Sequence, residues 1–159
     1  MEPSSSDQTD WNQLIPELKD WNNGAGIDAR SWVGCSGNFQ LAVGYTTVFW
    51  PAFVEYDGMV LREGYFPESL EKWLQRYNGD KTAVEAMMNH QHIADVQFYG
   101  CPDATHERLI YLGRVLRQIY ECKLRFQFPQ KDILVQFDDS PMEDVYGYQL
   151  TFFQRRATI

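Results

Sequence analysis

No stretch of this 159-residue sequence stays apolar for the roughly 20 residues that a membrane-spanning helix requires, so a membrane span is not expected. Its first residues, Met1-Glu2-Pro3-Ser4-Ser5-Ser6-Asp7, hold neither a basic start nor an apolar segment, which argues against a secretory signal. Residues 1–9 read as a disordered tail ahead of one domain over 10–159. Cysteine is scarce. Cys35, Cys101 and Cys122 are odd in number and widely spaced, which is no disulfide framework and fits a reducing cytoplasm. Positive charge is short as well: 14 Lys and Arg against 22 Asp and Glu leave a net charge of −8. Nucleic acid and anionic membranes both select basic surfaces, so neither is an expected partner. The local signatures of familiar enzymes are also missing, among them the GxSxG elbow, the Walker loop, the dinucleotide fingerprint, HExxH and paired CxxC.

What the chain does have is apolar and aromatic mass, 44% and 15% of its residues, enough to pack a core and too much for general disorder. Trp11, Leu14, Ile15, Leu18 and Trp21 follow helical spacing after Asp10, with Pro16 inside the run and Asn22-Asn23-Gly24 ending it. Asp28 is placed to cap a second short helix. Residues 38–50 satisfy both a strand alternation and a helix capped by Asn38; we take the helix. Asp57-Gly58 between Phe53–Tyr56 and Met59–Arg62 predicts a type I′ hairpin, because both central positions need a positive φ.

Pro67 opens a helix with Leu70, Trp73, Leu74 and Tyr77 on one stripe, and Asn78-Gly79 closes it. Thr82 and Glu85 form a candidate capping box for a helix through Met88. Ala94, Val96 and Phe98 alternate as a short strand. The longest helix is expected from Asp103 to about Leu124, and two strands follow, marked by Ile133, Val135 and Phe137 and by Tyr146, Tyr148, Leu150 and Phe152. The whole reads as an α+β domain, with an antiparallel sheet of four or five strands and helices packed mainly on one face.

Chemistry-bearing residues are few. All three histidines, His90, His92 and His106, fall near Cys101. Imidazole suits both proton transfer near neutral pH and zinc-like metals. If extended, His90-Gln91-His92 puts both rings on one face, and Cys101, His106 or Asp95 could complete a metal site. The same alternation would place these histidines on a buried apolar face, where hydrogen-bonded core residues are commoner than ligands. Cys101 precedes a helix start, which favours a thiolate, yet Asp103 beside it opposes one.

Asp138, Asp139, Glu143 and Asp144 crowd a turn-rich loop that could be a solvated hairpin tip or a contact surface. Exposed members of the aromatic set, such as those in Phe49-Trp50-Pro51-Ala52-Phe53 and Tyr65-Phe66-Pro67, would mark a binding face. We therefore expect a non-enzymatic, cytoplasmic interaction protein of inhibitor or immunity type, without a cofactor, using the four loop carboxylates toward a basic protein partner. The alternative is a metal-dependent or acid-base enzyme centred on His90, His92 and His106 with Cys101 assisting, which would call for zinc or a similar ion.

Overall fold

The computed structural model describes residues 9–97 and 101–156. Backbone contacts divide the chain into two units, Met1–Gly44 and Tyr45–Ile159. In the first, Asp10 caps α1 (Trp11–Leu14) by accepting from the amides of Asn12 and Gln13. The expected continuous helix breaks at once. Pro16 cannot donate to a carbonyl one turn back, and the chain passes into a 3₁₀ turn over Pro16–Asp20 and a short α2 (Trp21–Gly24). Asn22 and Asn23 have φ of 52° and 56°, a left-handed pair that ends the run where the sequence indicated. Asp28 caps α3 (Ala29–Ser36) through the Ser31 amide. Residues 39–49 form α4 (Phe39–Phe49), with Asn38 Oδ1 accepting from Leu41 N, so the helical reading of that ambiguous stretch holds.

The second unit is antiparallel sheet and helix, which settles the class as α+β. Strands β1 (Phe53–Tyr56) and β2 (Met59–Arg62) pair in the expected register, with Asp57 at φ 48° and Gly58 at φ 73° in the turn. The Lys81 ammonium binds both the carboxylate and the carbonyl of Asp57, at 2.9 and 2.7 Å. Helix α5 (Pro67–Arg76) starts on its proline, and Asn78 and Gly79 close it with positive φ.

Helix α6 (Lys81–Met88) is capped by Asp80, which accepts from Thr82 N and Ala83 N, and not by the Thr82–Glu85 box. Both box residues have other work. Thr82 Oγ1 donates to the Gln154 carbonyl, and Glu85 is fully buried. The strand expected around Ala94 and Val96 is also displaced. Only Gln91 and His92 are extended (β3), and Ile93–Val96 is a 3₁₀ turn that buries Ile93 and Ala94; Phe98 lies outside the described residues. Helix α7 runs over His106–Gln127, beginning three residues later than Asp103 because Thr105 is the cap.

β4 (Ile133–Phe137) and β5 (Gln149–Gln154) form the last hairpin. Tyr146, expected in the second of these strands, sits instead in a 3₁₀ turn (Val145–Gly147) capped by Asp144.

Five strands are present among the described residues, but they make two sheets and not one: β1–β2, and β3–β5–β4. The reason lies at the β3 edge of β5. Short β3 pairs only with Gln149 and Leu150. Farther along, the Phe152 carbonyl accepts from Asn89 Nδ2 and the Gln154 amide donates to Glu85 Oε2. On the other side, Glu85 Oε1 accepts from Val60 N, while Asn89 Nδ2 donates to Val60 O and Asn89 Oδ1 accepts from Arg62 N. Side chains of α6 and of Asn89 at its C-terminal cap thus satisfy backbone groups that a continuous ladder would otherwise pair, and they join β2 to β5 through polar contacts.

Two apolar clusters flank this bridge. The larger packs α7 against β4 and β5, with Phe53, Tyr120 and Phe152 meeting edge to face at centroid distances of 5.0–6.4 Å. The smaller gathers Met59, Leu61, Leu70 and Val84 between the first hairpin, α5 and α6.

Candidate functional site

The sequence directed attention to the histidines, and the structure engages two of them in hydrogen bonds just before β5. His92 Nδ1 lies 2.6 Å from the Tyr146 carbonyl, and His106 Nδ1 lies 2.9 Å from the hydroxyl of fully buried Tyr148. Each ring therefore ties its element to the 145–148 segment. His90 and His92 do meet, ring centroids 4.7 Å apart and edge to face. Asp95 stands exposed on the 3₁₀ turn. Among the described residues, no three His, Cys, Asp or Glu side chains come together in a way that could hold a metal ion.

Cys101 is engaged too. Its thiol donates to Asp103 Oδ1, and this bond, reinforced by the nearby negative charge, pushes the thiol pKa up from its ordinary value. That is the opposite of what a nucleophile or a metal-binding thiolate needs. We expect Cys101 to alkylate with iodoacetamide at pH 8 more slowly than exposed Cys35 and Cys122. Asp103→Asn should speed it several-fold; site-resolved mass spectrometry showing the same Cys101 rate in both proteins would remove the carboxylate from the explanation.

The acidic loop is largely engaged with itself and its neighbours. Asp138 accepts from the amide and hydroxyl of Ser140, and those bonds hold its carboxyl below the usual range. Asp139 pairs with Arg114 at 2.8 Å, and Asp144 caps the turn at Tyr146. Glu143 is exposed. Three of the four carboxylates are thus held by local contacts.

An open groove of ≈ 600 Å³ lies in the second unit. One wall is the turn Glu63–Phe66 that follows β2. The end of α6 supplies Met87 and Met88, and His90, Gln91 and Asp95 also line the groove. The local sequence explains this layout. Gly64 turns the chain at φ 85°, and Pro67 then starts α5, so Tyr65 and Phe66 project from a short fixed connector. Phe66 is 72% exposed, and the Tyr65 ring packs beside Tyr56 at 5.9 Å.

Three features make the groove rich in acceptors. Gln91 Oε1 is buried and, among the described residues, has no hydrogen-bond partner, which is uncommon for such an atom. Glu63 and Asp95 are exposed, and neither carboxylate takes part in an ion pair among the described residues. The one guanidinium on the wall, Arg62, is turned to the Asn89 carbonyl at 3.4 Å. Sequence reasoning had marked Tyr65-Phe66 and Asp95. It missed Glu63 and Gln91, because nothing in a linear pattern distinguishes an orphaned glutamine from an ordinary one.

Comparison with protein-family models, with curated proteins and with solved structures returns no match.

Proposed function

We propose that this protein is a non-enzymatic interaction domain whose partner is a basic protein, of the kind an inhibitor or immunity-type protein would neutralise. The observation that carries the reading is the groove: it is lined by two carboxylates that take part in no ion pair among the described residues, by an exposed phenylalanine, and by Gln91, whose buried Oε1 has no partner among those residues. An Arg or Lys side chain supplies donors and compensating charge to Glu63 and Asp95, and a cation for the Phe66 ring. Met87 and Met88 add an adaptable apolar surface for the stem of such a side chain. The loop carboxylates Asp138, Asp139, Glu143 and Asp144 act at longer range, adding to the −8 field that steers a basic partner inward. The three free thiols accord with a reducing, cytoplasmic setting. No described helix is long and apolar enough to cross a membrane.

The test uses synthetic 12-residue peptides carrying two or three Arg or Lys among aliphatic residues, with Glu-substituted controls, read by fluorescence anisotropy. Basic peptides should bind, and their affinity should fall with added salt. The charge reversals Glu63→Lys and Asp95→Lys should each weaken binding about tenfold or more. Phe66→Ala should weaken it without changing its salt dependence, which separates the groove from diffuse attraction. Neutralising the four loop carboxylates should slow association at low salt and leave dissociation unchanged. Equal affinity for basic and acidic peptides, or indifference to both reversals, would overturn the proposal.

A further inference from the structure

A second concavity borders that groove at Val96. It measures ≈ 260 Å³ and sits between the C-terminal half of α4, the Ile93–Val96 turn and the start of α7. Its walls are mostly apolar: Phe49, Ile93, Ala94, Val96, Leu109 and Leu112. Native interiors close-pack, and an apolar void holds water poorly because it gives few hydrogen bonds. A void of about 150 Å³ with such a lining is already large enough for benzene. This one is larger, so it accommodates one or two fused rings.

Gln97 Nε2 donates to the Tyr45 hydroxyl, which among the described residues leaves the Tyr45 proton and the Gln97 carbonyl oxygen available to a ligand. Arg108 and Asp103 also border the cavity, but they pair at 3.5 Å, and Arg108 Nη1 donates to the Asp103 carbonyl at 2.7 Å. Cys101 is held by the same carboxylate. Each of these charges thus has a partner of opposite sign at the rim, and the pair adds no net charge to the cavity.

We infer that this cavity is a binding site for a neutral, largely apolar small molecule of one or two rings bearing a single hydroxyl or N–H at one end. The rings replace missing dispersion contacts with the apolar walls, and the polar end meets Tyr45 and Gln97.

The probe is 2-naphthol, titrated into the full chain by calorimetry, with 2-naphthalenesulfonate as the charged counterpart. Saturable one-to-one binding of 2-naphthol is expected, with a dissociation constant on the order of 10–100 µM for a ligand of this size. Ala104→Phe and Val96→Phe each place a ring in the cavity and should weaken binding about tenfold or more. Nuclear Overhauser contacts from the ligand to the Leu109 and Leu112 methyls of the unmodified protein locate it without relying on either variant. Gln97→Ala should weaken 2-naphthol and leave naphthalene unaffected. Absence of saturable binding, contacts to other methyls, or tighter binding of the sulfonate than of the naphthol would each overturn the assignment.

Discussion

Replacing Glu85 by alanine is expected to cost about 4 kcal/mol or more of folding stability, because one substitution orphans several buried donors and leaves a cation unpaired. Glu85 is 0% exposed. Its Oε1 accepts from Val60 N at 2.6 Å and Gln154 Nε2 at 2.5 Å; its Oε2 accepts from Gln154 N and Arg156 Nη1, both at 2.8 Å. Four donors on two oxygens is close to the capacity of a carboxylate. Alanine would leave the amides of β2 and β5 facing a cavity at the junction of the two sheets.

Glutamine is no substitute, despite its shape. One of its termini is an amide nitrogen, which would confront two donors and could accept from neither. Glu85→Gln should therefore lose most of what alanine loses. Against a typical domain stability of about 5–15 kcal/mol, either variant should show a much lower urea midpoint, and alanine should sit near the limit of folding. A loss under about 1 kcal/mol for Glu85→Ala would mean that the bridge contributes little and that the apolar clusters alone hold the sheets together.

Gly113→Ala is the second large effect, and its sign is the reverse of what helix propensity gives. Gly113 lies inside α7, where alanine would ordinarily add about 1 kcal/mol of stability. Here a Cβ would fall 2.1 Å from Cζ of Phe137, with two further ring atoms at 2.3 and 2.7 Å. Phe137 is buried on β4, so its ring has nowhere to go without moving the strand or opening the core. Overpacking of this kind costs about 1–3 kcal/mol and here acts on a rigid aromatic, so a net loss of about 2 kcal/mol is expected. In a chain of this length that lowers the thermal midpoint by about 4–8 °C. Adding Phe137→Leu to Gly113→Ala should recover part of the loss, since leucine vacates the contested space. If the double variant is as unstable as the sum of the two singles, the ring and the glycine are not energetically coupled.

The parts of this protein that were legible in its sequence are those set by local chemistry. Asp57-Gly58 specifies its turn because few residue pairs tolerate two positive φ values, and Asn78-Gly79 ends α5 for a related reason. Asp10, Asp28 and Asn38 cap helices by reaching amides two or three residues onward, contacts that need no partner from elsewhere. The candidate site was legible only in fragments. Tyr65-Phe66 stood out as aromatics before a helix-starting proline, whereas Gln91, between two histidines, drew no notice.

One local pattern gave the wrong answer because distant partners competed for its side chains. Thr82 and Glu85 fit a capping box, but Asp80 caps the helix, which frees both for contacts with β5 some 70 residues away. The histidines are close in sequence, yet His92 and His106 bond to Tyr146 and Tyr148, across 54 and 42 residues.

By itself, then, the sequence determined the α+β class, the principal turns and caps, and the acidic surface, because each follows from a residue's own geometry or charge. Tertiary structure alone decided that five strands divide into two sheets, that a buried glutamate joins them, and which acceptor is left without a donor. Those outcomes depend on which distant groups compete for the same hydrogen bond, and a linear pattern holds no record of that competition.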